Sequence, residues 1–197
     1  MLDPACSSAV AALEDDPFYR SITEKFAGDI TKRRTALAEY FDYSIREGSR
    51  FGRTVHLAEN SYGVSVWSLP QPDDLYAQIV KEKQAFLQVC LGATGARNYK
   101  QILEYMSKKS AAVVAGDAWY LSIVAVDPVR QGRGLGQQLV TPVLAEADSV
   151  GATSYLETFS QRNVQFYRRL GFTIRASFRE PTTSADYAIM VRDAKPQ

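Results

Sequence analysis

The chain is poor in the residues from which metal centres, redox sites and hydrolytic triads are built. One histidine and two cysteines occur in 197 residues. A zinc site or a Ser-His-Asp triad needs imidazole or thiolate partners that this chain hardly possesses, so no metal is expected. Cys6 and Cys90 lie far apart and form no metal or redox motif, which makes reduced structural thiols the default. His56 falls in the alternating stretch Thr54-Val55-His56-Leu57-Ala58-Glu59 and reads as a partly satisfied strand residue, outside any catalytic site. An excess of charge is missing too: 23 Lys and Arg stand against 22 Asp and Glu, a formal net charge of +1. That balance gives no electrostatic case for nucleic acid or an anionic membrane. Lys32-Arg33-Arg34 and Lys108-Lys109 read as solvated helix faces. No apolar run approaches the roughly 20 residues of a membrane-spanning helix, and the N-terminus is not signal-like, so a soluble, cytoplasmic protein is the expectation.

What is present is a core and one conspicuous turn. A hydrophobic content of 46% over 197 residues suffices for one domain, and no composition shift or repeat marks a second. The turn is Gln131-Gly132-Arg133-Gly134-Leu135-Gly136. Three glycines spaced two apart permit positive φ and close backbone approach, so successive N–H groups can converge on an anion where a helix begins. The spacing is neither the G-x-G-x-x-G of a dinucleotide site nor a P-loop, which needs Gly-Lys-Ser/Thr after a four-residue gap. By itself the turn reads equally as an anion cradle or as a flexible linker.

Its neighbours carry more information. Residues 118–126 are β-branched and aromatic and stop at Asp127-Pro128, a central strand followed by a turn. After the glycines Leu135, Leu139, Val143, Ala147 and Val150 recur at helical spacing, with Pro142 inside predicting a mild kink. A second strand over 153–158, a short helix over 163–170 ended by Gly171, and a strand opening at Phe172-Thr173-Ile174 complete the run. Upstream, the pattern predicts helices over 4–14 and 29–47 with a break at Asp15-Asp16-Pro17. A hairpin over 54–67 turns at Asn60-Ser61, and helices over 74–90 and 99–109 follow.

Taken in order, Val124-Ala125-Val126-Asp127-Pro128, the 131–136 turn, Leu156-Glu157-Thr158 and Phe166-Tyr167-Arg168-Arg169-Leu170-Gly171-Phe172 resemble the acyl-coenzyme A half of the GNAT N-acetyltransferases. The turn is similar to their Arg/Gln-x-x-Gly-x-Gly/Ala signature. The wording Trp119-Tyr120-Leu121, Leu156-Glu157-Thr158 and Arg162-Asn163-Val164-Gln165-Phe166-Tyr167 looks most like the branch that contains puromycin N-acetyltransferase. The resemblance implies an α+β fold, an α/β/α sandwich whose mixed, mostly antiparallel sheet has splayed central strands. It makes residues 1–197 one domain, with 1–116 as the acceptor-side half and 117–192 as the acyl-coenzyme A half. Chains of this family usually open with a strand; residues 1–5 are too short and contain Pro4, so that strand is missing or the start lies upstream.

The resemblance also assigns parts. Acetyl-coenzyme A is the donor, with its pyrophosphate on Gln131, Gly132, Arg133, Gly134, Leu135, Gly136 and Gln137. Its pantetheine arm lies along Val124, Ala125 and Val126, where a backbone N–H would meet the oxyanion. Tyr167 matches the tyrosine near the coenzyme sulfur; a phenol stays protonated at neutral pH and can donate to a thiolate, although on spacing alone it is an aromatic packed on a helix. Glu157 is the candidate base that would deprotonate an arriving ammonium ion and touch substrate. Asn163 lies four residues before Tyr167, where many relatives have asparagine seven before, here Ser160; it would either contact the cofactor or cap the short helix.

The acceptor is less legible. Phe18, Tyr19, Tyr43 and Trp67, with Tyr40, are candidate pocket walls, and Asp15, Asp16 and Asp42 could attract a cation. Together they lean toward a small, partly apolar amine. An enzyme acting on a peptide amine, or an acetyl-coenzyme A sensor without turnover, stays open. A homodimer through the C-terminal strands, with residues 185–191 supplying one, is a family habit for which the sequence gives no independent sign.

Overall fold

The computed structural model describes residues 1–57 and 62–195. Helix α1 (Cys6–Leu13) is followed by α2 (Pro17–Ile22), a 3₁₀ turn (Glu24–Phe26), α3 (Ile30–Phe51), β1 (Gly52–His56), β2 (Gly63–Ser68) and α4 (Asp73–Ser110). Then come β3 (Trp119–Val126), a 3₁₀ turn (Pro128–Arg130), α5 (Leu135–Ser149), β4 (Ser154–Thr158), α6 (Gln161–Arg169), β5 (Thr173–Glu180) and β6 (Ala185–Arg192). The six strands form one sheet in the order β1-β2-β3-β4-β6-β5, antiparallel throughout except between β3 and β4. The Asn60-Ser61 turn lies outside the described residues.

Two apolar cores sandwich this sheet. On one side Leu37, Phe41 and Ile45 of α3, with Ala9 of α1 and Leu87, Leu91 and Ile102 of α4, pack on Val64, Val66, Ile123, Ala125, Tyr187 and Ile189. On the other, Leu139, Val140, Val143, Leu144 and Ala147 of α5 and Val164 and Tyr167 of α6 cover Trp67, Leu121, Leu156 and Met190. The α5 face follows the predicted spacing up to Ala147, whereas Val150 is 65% exposed just beyond the helix end. The helix runs through Pro142. One turn earlier the buried Ser65 hydroxyl donates to the Leu139 carbonyl at 2.8 Å, tying β2 to the helix where proline disturbs its bonding.

A bulge decides which residues of β3 face which core. Val66 is opposite Ile123 and Trp67 is opposite Leu121, so Ser122 is the extra residue. Trp119 and Leu121 therefore face α5, and Ile123 and Ala125 face the α1–α4 layer. The same strand pairs with β4 only at Trp119↔Ser154 and Tyr120↔Tyr155. Beyond those pairs the two strands part, which is the splay the family resemblance implies.

Three expectations are corrected. The two helices predicted over 74–90 and 99–109 are present but extend further and meet at Gly92, whose φ +69° and ψ 178° break the helical path inside α4. Residues 91–98 stay helical around that break because Leu91, Gly95, Ala96 and Asn98 are buried, and Asn98 donates to the Ser21 carbonyl at the end of α2. The segment at Asp16-Pro17 does more than break a helix; the Asp16 carboxylate accepts the Phe18 N–H at 2.9 Å and starts α2, with proline in its first turn. The C-terminal strand β6 is not an edge available for dimer pairing, since β4 and β5 flank it.

Candidate active site

The turn before α5 has the backbone expected of an anion cradle. Gly132 and Gly134 have φ of +80° and +78°, and nothing lies within 4 Å of where a Cβ would stand on either. Gly134 caps α5 in the left-handed region, and the first helical bond runs from the Gln138 N–H to its carbonyl. Among the described residues the N–H groups of Gly132, Arg133, Gly134, Leu135, Gly136 and Gln137 have no protein acceptor. Six consecutive donors at a helix N-terminus suit a pyrophosphate. Gly136 has another reason to be glycine: a Cβ there would stand 3.1 Å from Phe166, so it sets the approach of α5 to α6 and does not use positive φ. Arg133 and Gln137 are exposed, whereas the Gln131 amide turns back to donate to the Val126 carbonyl at 3.0 Å.

Val124 is half-buried and Ala125 and Val126 are buried, so their side chains serve the cores while the backbone edge facing β4 has no strand partner. Tyr167 is placed by the end of α6. The Phe172 N–H bonds to the Tyr167 carbonyl and the Gly171 N–H to the Arg168 carbonyl, with Gly171 at φ +94°. This C-cap sets the Tyr167 ring edge-on to Phe172, 6.0 Å between centroids, and Phe166 flanks it at 5.0 Å. The Tyr167 hydroxyl has no hydrogen bond to the described residues, and burial, aided by Asp16, pushes its pKa well up. Asn163 is half-buried three residues into α6; Ser160 holds the cap position, so the capping alternative is not what the asparagine does.

Tyr167 belongs to the α5–α6 layer, and Tyr19 of α2 to the opposite one. Burial raises Asp16 to about 6 against the pull of the Phe18 N–H. Glu157 is also raised by burial, and the Ser110 hydroxyl that donates to it, with the Tyr120 hydroxyl nearby, pulls it partly back.

The other acceptor-side candidates divide. Tyr19 is 7% exposed within a ring cluster with Phe18, Tyr40 and Phe41. Tyr43 is stacked on Phe86 at 4.1 Å and sits beside the Lys83–Glu47 ion pair. Trp67 is 0% exposed in the α5-side core and has no surface to offer a ligand. Asp42 accepts the Asp3 N–H at 2.7 Å and pairs with Arg46, which commits it to anchoring the N-terminus. His56 bonds to Asp3 at 3.0 Å. Sequence reasoning missed Ser110 altogether, because nothing local relates it to a residue 47 positions away. Among the described residues no group of three or more His, Cys, Asp or Glu could hold a metal, and no helix is long and apolar enough to cross a membrane.

A sheet that opens between two parallel strands, beside a glycine turn with unengaged N–H groups, is the arrangement that the family resemblance implies for holding acyl-coenzyme A. The chain belongs to the acetyltransferase (GNAT) family, whose family model matches residues 53–172. Solved structures agree on the fold. A histone acetyltransferase HPA2 and related acetyltransferase from Corynebacterium glutamicum superposes with a TM-score of 0.63 at 22% identity, covering 98% of this chain and 91% of that one. Arylalkylamine N-acetyltransferase 2 from Aedes aegypti gives 0.61 at 12% identity, covering 95% and 92%. An agmatine N-acetyltransferase gives 0.64 at 14% identity, covering 96% and 93%.

Proposed function

We propose that the protein transfers the acetyl group of acetyl-coenzyme A to the primary amine of a small molecule, by direct attack within a ternary complex. The observation that carries this reading is the opening between β3 and β4 beside six unengaged backbone N–H groups, with Glu157 on the strand that borders the opening. Bound acetyl-coenzyme A supplies an activated thioester. The N–H groups of residues 132–137 would hold its pyrophosphate, with Arg133 and Gln137 adding polar reach, and the backbone of Val124, Ala125 and Val126 would receive the pantetheine arm and donate to the oxyanion. Asn163, on the first turn of α6, would face the same arm.

Glu157 takes a proton from the acceptor ammonium, for which a carboxyl raised above its ordinary range is suited. Tyr167 stays protonated at every physiological pH and donates its hydroxyl to the departing sulfur. Phe18, Tyr19 and Tyr43 offer aromatic surface and Asp16 negative charge, which favours a small, partly apolar amine over a polybasic one. The motif wording supports a kinship with the puromycin N-acetyltransferase-like branch.

Thiol release from acetyl-coenzyme A across a panel of small amines and peptides tests this. Release with small primary amines is expected. Tight acetyl-coenzyme A binding without release to any amine would replace the reading with a sensor, and release with peptides alone would replace it with a protein acetyltransferase.

A further inference from the structure

The face of β4 that carries Tyr155, Glu157 and Phe159 looks toward the α1–α4 layer. Glu157 is faced there by Ser110 from the end of α4, Tyr120 from β3, Tyr155 from its own strand and Tyr187 from β6. The Ser110 hydroxyl donates a hydrogen bond to its carboxylate, the Tyr120 hydroxyl stands near enough to favour its charged form, and no lysine or arginine pairs with it among the described residues. A desolvated carboxylate without a cation depends on such donors to remain charged.

Both hydroxyl side chains sit on fixed backbone. Ser110 is 5% exposed, and its carbonyl accepts the Val113 and Val114 N–H groups, each at 2.9 Å, closing the end of α4. Tyr120 makes the last pair between β3 and β4, opposite Tyr155, and the two rings lie 4.8 Å apart. The hydroxyls thus converge from two elements on a carboxylate located just past the point where the strands part.

We propose that Ser110 and Tyr120 are positioning residues for the acceptor side of the reaction, orienting the Glu157 carboxylate at the mouth of the gap and keeping it an ionised proton acceptor. This rests on the proposed acetyl transfer. The step balances within the site: an N–H bond of the acceptor ammonium breaks, an O–H bond forms on Glu157, and the nitrogen lone pair released becomes the new C–N bond while the C–S bond breaks; the departing sulfur takes the Tyr167 proton, which the second N–H proton lost by the acetylated nitrogen restores. Ser110 and Tyr120 keep their own protons and hold the carboxylate still.

The test is a titration of the Glu157 carboxyl by isotope-edited infrared spectroscopy, assigned with Glu157→Gln, in the wild type, Tyr120→Phe and Ser110→Ala, beside the pH profile of kcat/KM. Losing either hydroxyl should raise the midpoint, by about one pH unit in Ser110→Ala and by less in Tyr120→Phe. The acidic limb of kcat/KM should move equally, with activity recovering at higher pH. An unmoved midpoint in both variants overturns the proposal. A midpoint that moves while the kcat/KM limb does not also overturns it, by removing Glu157 from the proton step though acetyl transfer persists. Midpoints that move in a protein releasing no thiol would reject the acetyltransferase reading and leave the hydroxyl clamp standing.

Discussion

Replacing Tyr167 by phenylalanine removes one oxygen and isolates what that oxygen does. The ring keeps its edge contacts with Phe166 and Phe172, at 5.0 and 6.0 Å, and the C-cap that places it is made by backbone alone. Because the hydroxyl bonds to none of the described residues, no internal partner is left unsatisfied, and stability should change by less than about 0.5 kcal/mol, a melting shift of roughly 2 °C or less. Loss of a proton donor to the leaving sulfur should instead lower kcat by about 10²-fold, or about 2.7 kcal/mol of barrier, with KM for acetyl-coenzyme A little changed. Steady-state thiol release and thermal unfolding measured on the same preparation separate the two effects. A kcat within about twofold of wild type would refute the acid role. A fall in kcat accompanied by a large loss of melting temperature would make the hydroxyl structural.

Other perturbations probe other parts of the same account. Glu157→Gln should lower kcat/KM by about 10²-fold and abolish its acidic limb, which in the wild type lies above the ordinary carboxylate range because burial raises this group; a retained limb would assign it elsewhere. Gly134→Ala places a Cβ on a residue at φ +78°, costing about 1–2 kcal/mol in that conformation, so melting should fall by roughly 3–7 °C and KM for acetyl-coenzyme A should rise about tenfold if the turn relaxes away from the cradle geometry. Asp148→Asn should lower the melting temperature by roughly 10 °C, because Asp148 bonds twice at 2.7 Å to Arg192, whose side chain is 4% exposed, and an unpaired buried cation costs about 3 kcal/mol. Since Arg192 holds the Asp148 carboxyl below its ordinary range, that contribution is complete above the unfolded pKa of about 3.9 and disappears as pH falls through the lower folded value. Chemical denaturation of both proteins at neutral and strongly acidic pH should show the difference closing in acid.

The segment from β3 to β5 was legible because its signals are local. A β-branched run ending at Asp127-Pro128, glycines opening an apolar-periodic helix, and Gly171 closing a short one each constrain their own few residues, and the structure places those elements within a residue or two of the sequence reading. What was illegible depends on distant packing. The burial of Leu91, Gly95 and Ala96 against the α2 side keeps α4 helical where the sequence suggested a gap, and the extra residue Ser122 cannot be recognised until β2 is laid beside β3. Trp67 reads as an aromatic candidate for a pocket, yet strand alternation with its neighbours turns it into the opposite core. Gly136 belongs to a glycine pattern but answers to Phe166, and Ser110 meets Glu157 only because the end of α4 returns to the sheet.

The central claim is that the opening between β3 and β4 joins an acyl donor to an amine. Its most direct test is thiol release measured with acetyl-coenzyme A and a saturating small primary amine, with and without the amine. Amine-dependent release, with one acetylated amine formed per thiol, is the predicted result. Acetyl-coenzyme A bound tightly but never discharged, whatever amine is offered, would contradict it.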